Sequence, residues 1–349
     1  MKRFFYITLT LSTFFIFTAP ASLRAADEIS IVLLGDYLPA ASAAPVIRRK
    51  GYSYTFAGIR DMLQETDIIF LNLETPLSDG GKSYENKQYV FRADPEAAEA
   101  MRSAGVRVVS LANNHTMDYG PDALDDTLKS LRSAGIAHVG AGRTLNEASM
   151  PAAFRIRNIN TAFLAFSNTF PREFWAGKER PGTFLGSDWA VKRAVKAAAG
   201  TGPLIVSFHW GEELARQPKE YQIYLAHLAI DSGADLVVGH HPHVPQPIEI
   251  YRGKPILYSL GNFSFGSYSS NATEGLMVKA FMGVDGTGTK LEIYPLLVDN
   301  VKVAFKPRLL SEPEGRDLFD SLTGAIPESS ARVAWEGGRG IIELKKLKD

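Results

Sequence analysis

Short apolar runs alternate along this chain with amphipathic stretches of helical period, and most of the runs stop at a polar or charged residue. The runs at residues 29–34, 67–71, 106–111, 136–139, 159–166, 203–208, 234–238 and 254–260 have strand length and turn-forming flanks. Between them the pattern predicts helices at residues 56–65, from the Asp94-Pro95-Glu96 cap to Gly105, at 121–134, from the Ser187 cap to about Ala199, and at 221–231. Such alternation predicts a largely parallel α/β sheet. Past residue 270 the pattern changes: stretches 276–284 and 290–297 flank the hairpin signal Asp285-Gly286-Thr287-Gly288-Thr289. Strands are expected at 301–305, 332–335 and 341–347, with a helix at 312–322. No linker intervenes, so residues 269–349 read as a β-rich extension completing the domain of residues 29–268.

The chemistry sits where the strands stop. Gly239-His240-His241-Pro242-His243-Val244 places three of the seven histidines in four residues directly after an apolar run. Packing alone rarely clusters imidazoles, whereas metals do. The bland alternative is a proline-stiffened, solvated turn. Other strands end alike: in Gly35-Asp36, in Asn72-Leu73-Glu74, in Asn113-Asn114-His115, and in His209. Each alone could be a turn cap. In parallel sheets, however, ligands bind outside the carboxyl ends of the strands, so Asp36, Asn72, Glu74, Asn114, His115, His209, His241 and His243 are expected at one place. Asp118, three residues beyond His115, could fix that ring's tautomer. His138 and His227 read as structural. In the loop at 79–93, Lys82, Lys87 and Arg92 alternate with Tyr84, Tyr89 and Phe91, either as solvated surface or as a basic, aromatic-bordered approach for an anionic substrate.

With 349 residues, 45% of them hydrophobic, the chain can bury a large core. Its 38 cationic and 38 anionic side chains give no nucleic-acid footprint. Lys2 and Arg3 precede an apolar stretch at 4–19 and the small residues Ala19-Pro20-Ala21. Residues 1–25 therefore read as a cleaved signal peptide of an exported, periplasmic or envelope protein, the rival being a retained membrane anchor. There is no cysteine, so any metal must be held by His, Asp, Glu and Asn, a donor set suiting Mn, Fe or Zn.

Several of these segments, in order over about residues 29–266, resemble the CapA-type poly-γ-glutamate capsule-synthesis family. They are Gly35-Asp36, Asn72-Leu73-Glu74-Thr75-Pro76, Ser110-Leu111-Ala112-Asn113-Asn114-His115 with Asp118 and Gly120, and His209-Trp210-Gly211. The histidine cluster with Gln246 and Tyr258-Ser259-Leu260-Gly261-Asn262-Phe263 complete the match. That family is similar in fold to calcineurin-like metallophosphatases. The resemblance thus implies an α/β two-sheet sandwich flanked by helices (α/β/β/α) around one or two divalent metal ions. It further implies Asn114, His209, His241 and His243 as ligands, Asp36 and Glu74 as carboxylate ligands, and His115 as the acid/base or charge-stabilising residue. His240 matches a variable position and is left out. The phosphatase pattern has Asp-x-His at the first strand, where Leu38 stands here, and Gly-Asp-x-x-Asp at the second, where Asn-Leu-Glu stands; the capsule family shares both departures. The implied activity is metal-dependent hydrolysis or transfer at γ-glutamyl bonds. Asn72, Lys87, Arg92 and Asn262 are expected at an anionic polymer or peptide, and membrane capsule-synthesis proteins are candidate partners. A metallophosphoesterase, a non-catalytic polymer-handling factor and, less directly, an epimerase are the alternatives.

Overall fold

A computed structural model describes residues 28–200, 202–284 and 289–345. The signal-peptide reading at 1–25, most of the 285–289 turn and the end of the expected 341–347 strand lie outside the described residues. In chain order the main strands are β1 (Glu28–Leu38), β2 (Ile68–Leu73), β3 (Val106–Ser110), β4 (Ala137–Val139), β5 (Ala152–Ile156), β6 (Ile159–Ser167), β7 (Leu204–His209) and β8 (Leu236–His240). They continue as β9 (Pro245–Tyr251), β10 (Lys254–Leu260), β11 (Asn262–Phe265), β12 (Glu274–Gly283), β13 (Lys290–Leu297), β14 (Ala331–Glu336) and β15 (Arg339–Leu344). The longer helices are α1 (Ala97–Ser103), α2 (Gly120–Ser133), α3 (Asp188–Ala198), α4 (Glu220–Asp231) and α5 (Glu312–Thr323).

β1 is buried along almost its whole length, so both of its faces must be covered. The period of two sorts its side chains between two cores. Val32 and Leu34, with Ile69, Leu71 and Val109, pack under α1 and α2 through Met101, Leu124, Leu128 and Leu131. Ile29, Ile31 and Leu33, with Phe70 and Val108, face Phe163, Ile205, Val238 and Leu257 of a second sheet. The far side of that sheet is covered by α3 and α4, where Val191, Val195, Leu225 and Ala229 lie on Phe166, Val206, Phe208 and Val237. The layers are helix, sheet, sheet, helix, as the resemblance implied.

The larger sheet runs β14-β15-β13-β12-β1-β2-β3-β4, with β11 also beside β1; the smaller runs β9-β10-β8-β7-β6-β5. Strands β1 to β4 are mutually parallel, as are β6, β7, β8 and β10. The segments past residue 270 join antiparallel to β1, with Glu28 opposite Gly283 and Leu34 opposite Met277. Each sheet is thus mixed, with a parallel centre.

Two expectations change. The helix at 56–65 is a 3₁₀ turn, Tyr52–Phe56, and one short turn, Arg60–Leu63. The strand at 301–305 is a helical turn, Asn300–Val303, capped by the Asp299 carboxylate accepting from Val301 N at 3.1 Å. Asn300 fastens that turn by donating to the carbonyls of Phe265 (2.7 Å) and Ser267 (2.6 Å), so local capping prevails over alternation. Pro245 and Pro247 lie in β9, an edge strand, where a missing N–H is tolerated. Among the described residues, no helix is long and apolar enough to cross a membrane.

Candidate metal centre

The carboxyl ends of β1, β2 and β3 in one sheet and of β7 and β8 in the other bring Asp36, Glu74, Asn114, His115, His209, His241 and His243 to one rim. Gly35 permits a close approach there: a Cβ on it would stand 2.0 Å from Gly261 O. The neighbouring Asp36 N donates to that same carbonyl at 3.1 Å. Asp36 is then in register with Asn72 on β2 and Asn262 on β11. Trp210, stacked on Phe208 at 4.4 Å and donating to Tyr258 O at 2.9 Å, anchors the chain where β7 delivers His209. His241 and His243 adopt positive φ (94° and 60°), strained for side chains of this size. Such strain, of order 1–3 kcal/mol per residue, persists only where the surroundings enforce it.

Asn72 is the hub. Its Nδ2 lies 2.9 Å from Asp36 Oδ1, 3.2 Å from Glu74 Oε2 and 3.3 Å from His209 Nδ1, and its Oδ1 accepts from Asn113 Nδ2 at 3.0 Å. His209 Nε2 is thereby aimed at Asn114 Oδ1 (2.8 Å) and Glu74 Oε1 (3.5 Å). His243 Nδ1 stands 3.2 Å from Asp36 Oδ2 and 2.9 Å from Asn262 Oδ1. Two overlapping triads result, Asp36–Glu74–His209 and Glu74–His241–His243, whose candidate ligand atoms lie within 4.8 Å of one another.

Burial decides the charges. It drives His209 down to about 3 and His241 well below its usual value, so both rings already stand in the neutral form that ligates, whereas a protonated ligand sheds its proton as metal binds. Glu74 is pushed well above the carboxylate range by burial and by the Asp36 charge beside it. Burial alone would raise Asp36 and lower His243. Their mutual hydrogen bond, the histidines around Asp36 and the Glu74 charge beside His243 reverse this: Asp36 is held below its usual value and His243 is raised to about 9. Glu74 Oε1 and His241 Nδ1 are buried with no hydrogen-bond partner among the described residues. Buried polar atoms are rarely left so, and crowded acid and imidazole groups with orphaned donor atoms fit a divalent cation.

Beside this cluster His115 Nδ1 lies 2.6 Å from Asp118 Oδ2, and Asp118 also accepts from Phe91 N at 2.7 Å. Burial outweighs that contact and lowers His115 to about 4. The ring lines a cleft of about 340 Å³ shared with Tyr89, Phe91, Glu213, His243, Asn262 and Phe265.

The residues expected at substrate are placed unevenly. Asn262 does line the cleft. Asn72 does not: it is fully buried among the acids and His209. Lys87 points inward, 2.6 Å from Asp118 Oδ1 and 3.0 Å from His115 Nδ1. Arg92 donates to Gly80 O at 2.6 Å and stacks over Tyr119 at 4.4 Å. In each case a nearer protein acceptor captures the donor. His240, next to two candidate ligands, is buried between Ser207 Oγ and Leu34 O at 3.3 Å each. His227 stacks on Tyr251 at 3.8 Å, far from this rim in the fold. Sequence reasoning passed over Asn113 and Glu213. Asn113 adjoined a named ligand, but Glu213 carried no signal beyond its nearness to His209.

Residues 30–267 match the model of a family described as "Bacterial capsule synthesis protein PGA_cap". The chain is 32% identical to the Capsule biosynthesis protein CapA of Bacillus anthracis, over 94% of this chain and 80% of that one. It is 30% identical to the PGA biosynthesis protein CapA of Bacillus subtilis, over 77% and 72%. A Mycobacterium tuberculosis relative, a probable polyglutamine synthesis accessory protein, is 34% identical over 68% of each. Among solved structures, the NAD nucleotidase NadN of Haemophilus influenzae aligns at 12% identity and TM-score 0.48, over 86% of this chain and 64% of that one.

Proposed function

Since the chain belongs to the bacterial capsule synthesis protein family PGA_cap, we propose that it is an exported, metal-dependent protein of poly-γ-glutamate synthesis or processing that hydrolyses or transfers γ-glutamyl amide bonds. The observation that carries the metal reading is the pair of buried atoms without a hydrogen bond among the described residues, Glu74 Oε1 and His241 Nδ1, inside two triads of nitrogen and oxygen donors. Asp36, Glu74, Asn114, His209, His241 and His243 would hold one or two ions, Mn, Fe or Zn by the absence of sulfur. A divalent cation there would polarise the amide carbonyl and acidify a bound water.

The chain's own groups supply the rest. With Nδ1 of neutral His115 committed to Asp118, Nε2 is left to take the proton of the attacking water and deliver it to the departing amine nitrogen. The amide C–N bond breaks, a carboxyl forms, and the proton count balances. Phe91, its ring centroid 4.5 Å from that of His115, limits the water around the ring.

The test is metal analysis of the purified protein and of His209→Ala and His241→Ala, followed by incubation with poly-γ-glutamate and with a phosphodiester. Bound metal lost in both variants and cleavage of the polymer support the reading. Turnover of the phosphodiester alone overturns it in favour of a phosphoesterase, and retention of uncleaved polymer favours a handling factor.

A further inference from the structure

The cleft over the buried cluster is bordered by aromatic rings, by the His243 imidazole at its floor and by one carboxylate. Its walls include Tyr89, Phe91 and Phe265; among the described residues no lysine or arginine lines it, and its one carboxylate is Glu213. The nearby cations are committed elsewhere, Lys87 to Asp118 and Arg92 to Gly80.

The backbone around Glu213 is held in place. The next residue, Leu214, takes a left-handed φ of 63° and donates its N–H to Pro242 O at 2.8 Å. Buried Gln246 fastens the following turn by donating to Ala215 O (2.8 Å) and Gln217 O (3.2 Å), and is itself fixed by Gln222 Nε2 at 3.1 Å. Glu213 has no hydrogen bond or ion pair among the described residues. Glu213 lines the same cleft as His115 and His243.

A carboxylate beside aromatic faces attracts an organic ammonium twice over, by Coulomb attraction and through the negative faces of the rings. We propose that the mouth of this cleft is an ammonium subsite, in which Glu213, with Tyr89 and Phe91, holds a primary ammonium group of the substrate. Taken with the glutamyl reading above, on which this step rests, that group is the free amino terminus of the chain or a separate amine brought to it.

The experiment is calorimetric titration of the full, manganese-loaded protein with a γ-glutamyl tetramer bearing a free amino end and with its N-acetylated form. An NMR titration compares n-butylammonium with n-butanol. The free-ended tetramer is expected to bind about three- to tenfold tighter. The preference should vanish in Glu213→Gln and persist in Glu212→Gln, whose parent carboxylate pairs with Lys219 outside the cleft. Discrimination only between n-butylammonium and n-butanol, lost in Glu213→Gln, identifies a separate amine. If neither tetramer binds while that discrimination holds, the subsite stands and the glutamyl reading falls. No discrimination in either pair, or a preference surviving Glu213→Gln, overturns the proposal.

Discussion

Asp118 answers to three neighbours: Lys87, His115 and the Phe91 amide. Its charge is fully buried, so the ammonium of Lys87 is a structural counterion before it is anything else. Lys87→Met should therefore lower stability by about 1–3 kcal/mol, the cost of a buried group losing its partner. Denaturant unfolding measures this, and a lysine serving only to grip substrate would leave the midpoint unmoved. His115→Ala tests the other arm of the same network. Turnover of a γ-glutamyl amide should fall by about 10²–10⁴, with bound metal unchanged, because His115 lies outside both ligand triads. Loss of metal in that variant would instead make His115 a ligand. At this scale the motifs were legible because ligand chemistry tolerates few residue types. The roles of Asn72, Lys87 and Arg92 were not, since a donor's partner depends on which acceptor the fold brings nearest.

At the scale of elements, two junctions position the site. The first is the contact of β1 with β11, where Gly35 meets the Gly261 carbonyl. Gly35→Ala should push the strands apart, costing about 1–3 kcal/mol and weakening metal binding because Asp36 moves with the backbone. Unaltered metal content and melting temperature would show that the approach is not needed. The second junction ties the start of β1 and the entry to β2 to the turn between β5 and β6. Asp67 accepts from Ser30 N and Oγ, both at 2.9 Å, and from Arg157 Nη1 at 2.8 Å and Nη2 at 3.0 Å. Burial would raise this carboxyl, but Arg157 and Ser30 hold it below its ordinary 3.8. A carboxyl whose folded value lies below its unfolded one stabilises fully above about pH 4, and that contribution is lost as the pH falls through the folded value. Asp67→Asn should thus be less stable than the parent at pH 7, with the gap narrowing on acidification; a gap constant from pH 7 to pH 3 would exclude the ionic contribution. The period-of-two runs marked these strands reliably. The capped turn at Asn300 was misread because local capping is set by neighbours.

Across the whole molecule, the cation site is the seam between two sheets, with neither sheet holding a complete set of donors. Among the described residues, the segment past residue 268 contributes none of those donors, yet β12 covers the edge of β1 from Glu28 to Leu34. Removing residues 269–349 should strip that cover and expose Ile31, Leu33 and their neighbours of the inter-sheet core. The shortened chain is expected to lose cooperative unfolding and metal binding together. A truncated protein that binds metal and melts cooperatively would make the C-terminal strands a separable addition.

What the order of residues determined alone was local: which segments are strands, where each one stops, and that the stops carry imidazole, amide and acid groups without any thiol. Those features rest on period, length and residue chemistry, which act over a few positions. The tertiary structure decided everything that depends on distance between remote segments: that the strands divide into two facing sheets, that Glu74 belongs to both triads, and that Lys87 turns inward while Glu213 remains at the mouth. Burial explains the difference. Only when Asp36, Glu74, His209, His241 and His243 are withdrawn together from water do their charges shift, and that withdrawal is a property of the packed whole.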